Sequence, residues 1–430
     1  MTTSPRRTPA MKHGRQARRG ATATLLKTTA VALAVVLVSG ASVAAWIVYD
    51  LASNVSSNAV DITQPDGAGG SAPAVPNIDA FEGGFNMLIV GADNDENQDP
   101  NAYGPRDITL NDVNMLLHVS EDHTSAVVVS LPRDLVIAQP TCVDPETDET
   151  ARAVSAQPLN AAYERGGLAC VVGTVSELTG LEIEYAALMS FNAVVEMTNA
   201  VGGVPVCLTK PVKDRWSGLD LPAGTTTISG ATALAFLRTR HGVGDGSDLS
   251  RIASQQQYIS SLIRTIKSDD TLTDVTKLYG LAQVAAKHVK LSTSLTNLTR
   301  MVAMARTLQT IDLDKLALVQ YPVGADPYNV NKVVPDEALA KKLFDAIAAD
   351  EPFAPDPNVD RNGVQADPDA PVPPPAAAPP ATETPDAQPP ASAPSNPGAD
   401  ATPAPTPTSN VIEGLSGQTA LEQTCSVANR

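Results

Sequence analysis

Between Lys27 and Asp50 the chain runs for 22 residues, Thr28 to Tyr49, without a charge. As a helix rising about 1.5 Å per residue, that run reaches roughly 33 Å, enough to cross a hydrocarbon core of about 30 Å. The flank before it is basic. Arg6, Arg7, Lys12, Arg15, Arg18, Arg19 and Lys27 stand there with no acid among them. Basic flanks stay in the cytoplasm, so everything after Asp50 is expected outside. Trp46 and Tyr49 fall where aromatic residues hold the outer interface. The other reading is a cleaved signal peptide, cut near the small residues from Ala41 to Ala45. Either reading exports the bulk of the chain.

Beyond that run the composition changes twice. Residues 50–80 are rich in Ser, Asn, Gly, Ala and Pro and read as an extracellular stalk. Residues 81–350 carry periodic apolar patterns and read as one globular, catalytic-sized domain. From 351 to 408 lie 18 of the 35 prolines, mixed with Ala, Asp and Thr. No core forms from such a mixture, so 351–430 is expected to be a disordered tail with a short terminal segment holding Cys425. The chain is acidic overall, with a net charge of −17. That balance argues against a general nucleic-acid binder, which needs a basic field.

Within 81–350 apolar runs alternate with helical patterns. Phe85–Val90, Val113–Val119, Ser125–Leu131, Tyr185–Phe191, Val204–Leu208 and Lys315–Tyr321 read as strands. Helices are expected over Ala161–Leu178, Ala193–Ala200, Ser229–Leu237, from Asp248 or Ser250 to Ile266, Val275–Val289, Leu295–Leu308 and Asp336–Ala348. Such a mixture builds a layered α/β or α+β sandwich.

Four cysteines without a CxxC spacing exclude a zinc ribbon. Outside the cell disulfides are allowed. Cys142 with Cys170 would staple the turn-rich stretch 143–155 to the following helix, and Cys207 with Cys425 would tie the terminal segment back. Free buried thiols are the alternative, because spacing alone does not fix connectivity.

Three patterns could carry chemistry. Asp93, Asp95, Glu96, Asp99, Asp107 and Asp112 form an acidic loop between two strands. Carboxylates at strand ends suit a hard cation such as Mg²⁺, and a solvated loop is the plain alternative. Ser130-Leu131-Pro132-Arg133-Asp134 ends a strand, where an arginine projects beyond a sheet. Leu237-Arg238-Thr239-Arg240 precedes a Gly-rich loop and then Asp248, Arg251 and Gln255. Arg251 and Gln255 share a helix face at i and i+4. Guanidinium forks suit phosphate oxygens, so this cluster reads either as a phosphate or pyrophosphate site or as a charge network with nearby acids. His118, His123 and His241 lack ligand spacing, and no nucleophile-elbow, zincin or P-loop motif is present.

In their order, these motifs resemble the LytR-CpsA-Psr (LCP) family of cell-wall glycopolymer ligases. The series is Asn86-Met87-Leu88-Ile89-Val90-Gly91-Ala92-Asp93, Asn111-Asp112-Val113-Asn114-Met115-Leu116, Ser130–Asp134, Leu159-Asn160-Ala161-Ala162-Tyr163 with Gly166-Gly167, Gly202-Gly203-Val204, Leu237–Arg240, and Asp248 with Arg251 and Gln255. The resemblance implies an α/β/α sandwich with a mixed central sheet and a hydrophobic pocket for a polyprenyl chain. Arg133, Arg238, Arg240, Arg251 and Gln255 would hold a pyrophosphate. Asp93 and Asp112 would act with Mg²⁺ (or Mn²⁺), and Asp93, Asp112 and Arg133 would be catalytic. The implied reaction is transfer of a glycopolymer from a polyprenyl-pyrophosphate carrier to the C6 hydroxyl of muramic acid in peptidoglycan. The alternatives are a non-catalytic membrane-tethered binder of lipid-linked glycan and a lipid pyrophosphatase. Leu110 and Ser254 stand where many relatives carry arginine.

Overall fold

The computed structural model describes residues 21–64, 81–93, 109–267, 275–370 and 410–429. The chain divides into two compact units, Met1–Ser53 and Asn54–Arg430. In the first, the charge-free run lies in helix α1 (Ala21–Ser57), whose last residues belong to the second unit. Leu25, Leu33, Val36, Trp46 and Tyr49 along it are exposed. Among the described residues no helix is long and apolar enough to cross a membrane, and the side chains at 41, 43, 44, 47, 48 and 51 lie outside that set.

In the second unit, strands β1 (Phe85–Ala92), β2 (Asn111–Val119) and β3 (Ala126–Leu131) form an antiparallel meander. β4 (Tyr185–Met189) runs parallel to β1. β5 (Val204–Leu208) and β6 (Gly224–Ile228) pair in a second sheet. β7 (Val289–Leu291) adds antiparallel to β4, and β8 (Leu316–Gln320) runs parallel to β3. The central sheet is therefore mixed, in the order β7-β4-β1-β2-β3-β8, with one further strand described below.

One face of this sheet presents Leu88, Val90, Leu116, Val129, Ala317 and Val319. Helices α2 (Ala162–Thr179) and α8 (Glu337–Ala348) cover it with Leu168, Val171, Val175, Leu343, Phe344 and Ile347. Each buried Leu, Val or Phe contributes about 1.5–3 kcal/mol relative to exposure. Residues of opposite parity in β3 and β8 meet α5 (Asp248–Lys267), where the Gln256 Nε2 donates to Ser130 Oγ at 3.3 Å and Gln320 Nε2 to the Leu249 carbonyl at 3.4 Å. Helices thus cover both faces, as expected. The remaining helices are α3 (Phe191–Val201), α4 (Gly230–Arg238), α6 (Val275–His288) and α7 (Leu298–Thr310). α4, α5, β5 and β6 enclose a second core around Phe236 and Tyr258.

Cys142 and Cys170 are disulfide-bonded. The bond crowds the first turns of α2. A Cβ on Gly166 would lie 3.1 Å from the Cys142 Cβ and 3.2 Å from that of Cys170, and Gly167 adopts a φ of +60°. Glycine at both positions lets the helix kink around the disulfide.

Two expectations about the flanks change. The stalk expected over 50–80 is docked at its described end: Ile62 is buried in the main core, and the Val60 N–H donates to the Leu291 carbonyl at 2.9 Å. Nor is 351–430 a uniform tail. Phe353–Pro355 pairs with Asn410–Ile412, β9 (Val364–Ala366) and β11 (Thr424–Ser426) join the second sheet, and β10 (Gly417–Thr419) extends the central sheet beside β8. Short β-branched and apolar runs there, Val411-Ile412 and Val364, were hidden by the surrounding proline content. Residues 371–409 lie outside the described set.

β11 lies parallel to β5, and Cys425 sits opposite Cys207 in a second disulfide. The strand continues against the Gly-rich loop, with Gly244 N–H donating to the Val427 carbonyl at 2.8 Å and Asn429 N–H to Gly242 at 3.0 Å. We expect the double variant Cys207→Ala/Cys425→Ala to lose about 3 kcal/mol of stability in denaturant unfolding. Hydrogen exchange at Gly244 and Asn429 should accelerate more than in β1. Equal protection of both regions would show that the disulfide does not hold this strand.

Candidate diphosphate site

β1 ends and β2 begins at the same edge of the sheet. Asp93 follows β1 directly and is 1% exposed. Its Oδ1 accepts the Leu110 N–H at 3.1 Å, and its own N–H donates to the Leu110 carbonyl at 3.3 Å. Leu110 therefore holds Asp93 through its backbone, which any side chain could supply. Asp112, two residues on, accepts from Arg133 Nη1 at 2.6 Å. Arg133 is placed by the turn after β3, where Leu135 N–H donates to the Pro132 carbonyl at 3.2 Å.

Helix α5 closes the site. The sequence pattern puts its start at Asp248 or Ser250, either of which would serve as the cap. Instead Ser247 Oγ accepts the Ser250 N–H at 3.2 Å, the bond typical of a cap. Asp248 is thereby left to the arginines: its Oδ1 lies 2.5 Å from Arg251 Nη2 and 3.5 Å from Arg133 Nε. Arg251 Nη2 also donates to the Asp112 carbonyl at 3.3 Å. One turn later Gln255 Nε2 donates to the Leu237 carbonyl at 2.9 Å, fastening α5 to the end of α4. Asp134 pairs with Lys332 at 2.5 Å and lies 3.7 Å from Arg133 Nε. Lys332 has no motif to announce it; only the fold brings it here.

The electrostatics follow from burial. Desolvation pushes the Arg251 guanidinium below its ordinary value, Asp248 and Asp112 counter this, and the like charges of Arg133 and Arg240 add to the depression. At Arg133 burial also opposes the charge, but Asp112, Asp248 and Asp134 together overcome it and raise the value. The Nε atoms of Arg133, Arg240 and Arg251 are all buried without a hydrogen-bond acceptor. Buried donors of this kind are rare in folded proteins. Three in one cluster form a site shaped for an acceptor-rich anion.

Asp112, Val113, Met115, Ser130, Arg133, Asp248, Arg251 and Gln255 line one cleft of about 10 Å³, the room of a single water. Beside it the sheet face is apolar and incompletely covered. Met189, Gly91 and Val113 lie in one cross-strand row, and Ala187, Ile89 and Met115 in the next. Met87, Ile89, Val113 and Met189 are only half-buried, although β1 and β2 are central strands. Val113 and Met115 belong to both the cleft and this apolar face.

Of the expected site residues, Asp112, Arg133, Arg251 and Gln255 come together. Arg240 is near enough to act on Arg251. Asp93 stands on the adjacent strand end. Arg238 does not line the cleft. It ends α4, and its guanidinium lies 4.6 Å from the centre of the Phe191 ring. The helix expected to end at Leu237 runs one residue further, through Arg238. Asp95, Glu96, Asp99, Arg106 and Asp107 lie outside the described residues. Asp93 and Asp112, on neighbouring strand ends, are the carboxylates that could supply oxygen ligands to a hard divalent cation. The one grouping of three possible ligands among the described residues, Cys207, Asp367 and Cys425, is spent on a disulfide.

The LytR_cpsA_psr family model matches residues 36–347. The chain is similar to the cell wall biosynthesis protein LcpA of Corynebacterium glutamicum, 27% identical over 326 residues, covering 69% of this chain and 62% of that one. It is also similar to the polyisoprenyl-teichoic acid–peptidoglycan teichoic acid transferase TagT of Bacillus subtilis, 23% identical over 269 residues, 61% of this chain and 77% of that one. Protein gbs0355 from Streptococcus agalactiae shares the fold at a TM-score of 0.50 and 19% identity, covering 62% of this chain and 87% of that chain. The chain spans 62% and 61% of the lengths of LcpA and the C. glutamicum protein LcpB.

If Asp248 compensates the buried Arg251, Asp248→Asn should destabilise the protein by about 3 kcal/mol. Saturating inorganic pyrophosphate should recover part of the lost melting temperature by supplying the missing charge. A variant as stable as the natural protein, or one indifferent to pyrophosphate, would remove Asp248 from this role.

Proposed function

The chain belongs to the LytR-CpsA-Psr family, and from that premise we propose that it is a phosphotransferase of cell-wall assembly, moving a glycopolymer from a polyprenyl-pyrophosphate carrier to the C6 hydroxyl of muramic acid in peptidoglycan. The observation that carries this reading is the adjacency of two surfaces. Three guanidinium Nε donors without acceptors stand at the end of a half-exposed apolar sheet face. A lipid diphosphate has both complementary parts. In this reading Arg133, Arg240 and Arg251 hold the diphosphate oxygens, and the apolar rows around Ile89 and Val113 receive the first prenyl units. The cleft must widen to admit them.

The acceptor hydroxyl oxygen attacks the phosphorus that bears the sugar. A phosphodiester bond forms, the bond to the bridging oxygen breaks, and polyprenyl phosphate leaves. Negative charge grows on the non-bridging oxygens, where preorganised guanidinium groups stabilise it. Asp112 or Asp93 takes the hydroxyl proton. Bound Mg²⁺ would be held by the same two carboxylates and would supply further charge neutralisation. No nucleotide is needed, because the diphosphate bond provides the driving force. Residues 28–49 are the proposed single-pass anchor, on their charge-free composition, and would keep the site beside its lipid substrate.

The test is a transfer assay with full-length protein, lipid-linked glycan, Mg²⁺ and peptidoglycan. Arg240→Ala and Arg251→Ala should each lower transfer by about 10²–10³-fold. Arg240→Ala should keep the natural melting temperature, since its side chain has no ion pair to lose among the described residues. Free phosphate-terminated polymer in place of wall-bound polymer would identify a pyrophosphatase. Full transfer by a folded Arg240→Ala protein would exclude this site.

A further inference from the structure

The hairpin Val212–Asp214/Leu219–Leu221 carries Arg215 and Trp216 at its tip. Trp216 is 69% exposed. Nothing in the proposed reaction uses it. The backbone of the turn is firmly held. Asp214 is buried, and its Oδ1 accepts the Trp216 backbone N–H at 2.9 Å while its Oδ2 accepts from Thr239 Oγ1 at 2.6 Å. Thr239 lies between Arg238 and Arg240. The Gly218 N–H donates to the Asp214 carbonyl at 2.9 Å, closing the turn. A Cβ on Gly242 would lie 2.5 Å from Val212 Cγ1, so the backbone after Arg240 packs directly on the hairpin. The backbone that carries the indole is thus fixed relative to the arginine segment.

Its surroundings are those of a sugar platform. The Arg215 guanidinium carbon lies 4.8 Å from the ring centre, and the His241 ring is 6.0 Å away. His241 is the residue after Arg240. An indole face packs against the axial C–H bonds of a pyranose, while an arginine stacked over the ring and a histidine beside it bond hydroxyl, acetamido or carboxylate groups. A membrane contact would need a wider apolar patch. Here the neighbouring Val212, Leu219 and Leu221 are all buried, and Lys213, Arg215 and Asp220 surround the indole with polar groups.

We propose that Trp216, with Arg215 and His241, is a stacking platform for a pyranose ring of a glycan presented to the arginine site. The inference deepens the proposed transfer reaction, and rests on it for the kind of glycan. Both the wall strand and the lipid-linked polymer contain pyranose rings, so the test separates them. Full-length protein with Trp46→Phe keeps Trp216 as its sole tryptophan. Soluble peptidoglycan glycan fragments should shift its emission to the blue and shield it from acrylamide. Trp216→Ala should bind polymer-stripped sacculi about tenfold more weakly, at an unchanged melting temperature, and Trp216→Tyr should restore most of the loss. Shielding by wall fragments assigns the acceptor strand; shielding only by a short-chain lipid-linked glycan assigns the donor sugar. Shielding by neither, or shielding by anionic phospholipid vesicles alone, would overturn the platform, as would natural retention of Trp216→Ala on sacculi once wall fragments shield the indole. Because binding is read without turnover, a failure of transfer leaves this test intact.

Discussion

A guanidinium buried as deeply as Arg251 persists only where carboxylates compensate it, and that requirement organises this end of the molecule. Asp248 precedes Arg251 by less than one helical turn, Asp112 comes from β2 and Arg133 from the turn after β3. Helix α5 is therefore registered on the sheet edge by charge as well as by packing. The compensation is incomplete. Distances as short as 2.5 Å bring the ions together, yet neither oxygen of Asp248 is aligned as a hydrogen-bond acceptor. The arginines keep unsatisfied N–H groups. In the proposed reaction an incoming diphosphate would meet donors already in place, in competition with carboxylates that are poorly aligned.

The opposite side of the same helix explains the C-terminal segment. Ser254 is 1% exposed, and its Oγ lies 3.0 Å from Ser426 Oγ. Gln257 Nε2 donates to the carbonyls of Cys207 and Thr424 at 2.8 and 2.7 Å. Arg264 Nη1 bonds the carbonyls of Ala420 and Glu422 at 2.7 and 3.0 Å. An arginine at 254 would have to displace β11. The serine there is thus a fit to a strand that the C-terminal segment contributes, and the turn that carries Arg251 and Gln255 remains untouched. The same strand braces the Gly-rich loop that follows Arg240.

The sequence was most legible where local pattern and tertiary role coincide. Val204–Leu208 is a strand with the expected bounds, and α3, α5 and α8 begin and end within a few residues of their patterns, because their apolar spacing is also their packing. The SLPRD segment placed Arg133 at a strand end for the same reason. Legibility failed where long-range contacts decide. Residues 353–370 and 410–429 are too short and too proline-flanked to signal strands, and they become strands only because open edges at β8 and β5 accept them. Arg238 was grouped with Arg240 by sequence proximity, but one more residue of helix turned it onto Phe191. Lys332 and the capping role of Ser247 left no local trace.

The overall charge makes the arginine cluster more telling. A chain of net −17 repels an anionic lipid at long range. At physiological ionic strength that repulsion is screened beyond about 8 Å. The selection proposed for a lipid diphosphate would then come from contact chemistry: donors that are already desolvated, and an apolar face adjoining them. Lysine would not serve equally, since a strongly hydrated ammonium loses more on burial and lacks the planar fork.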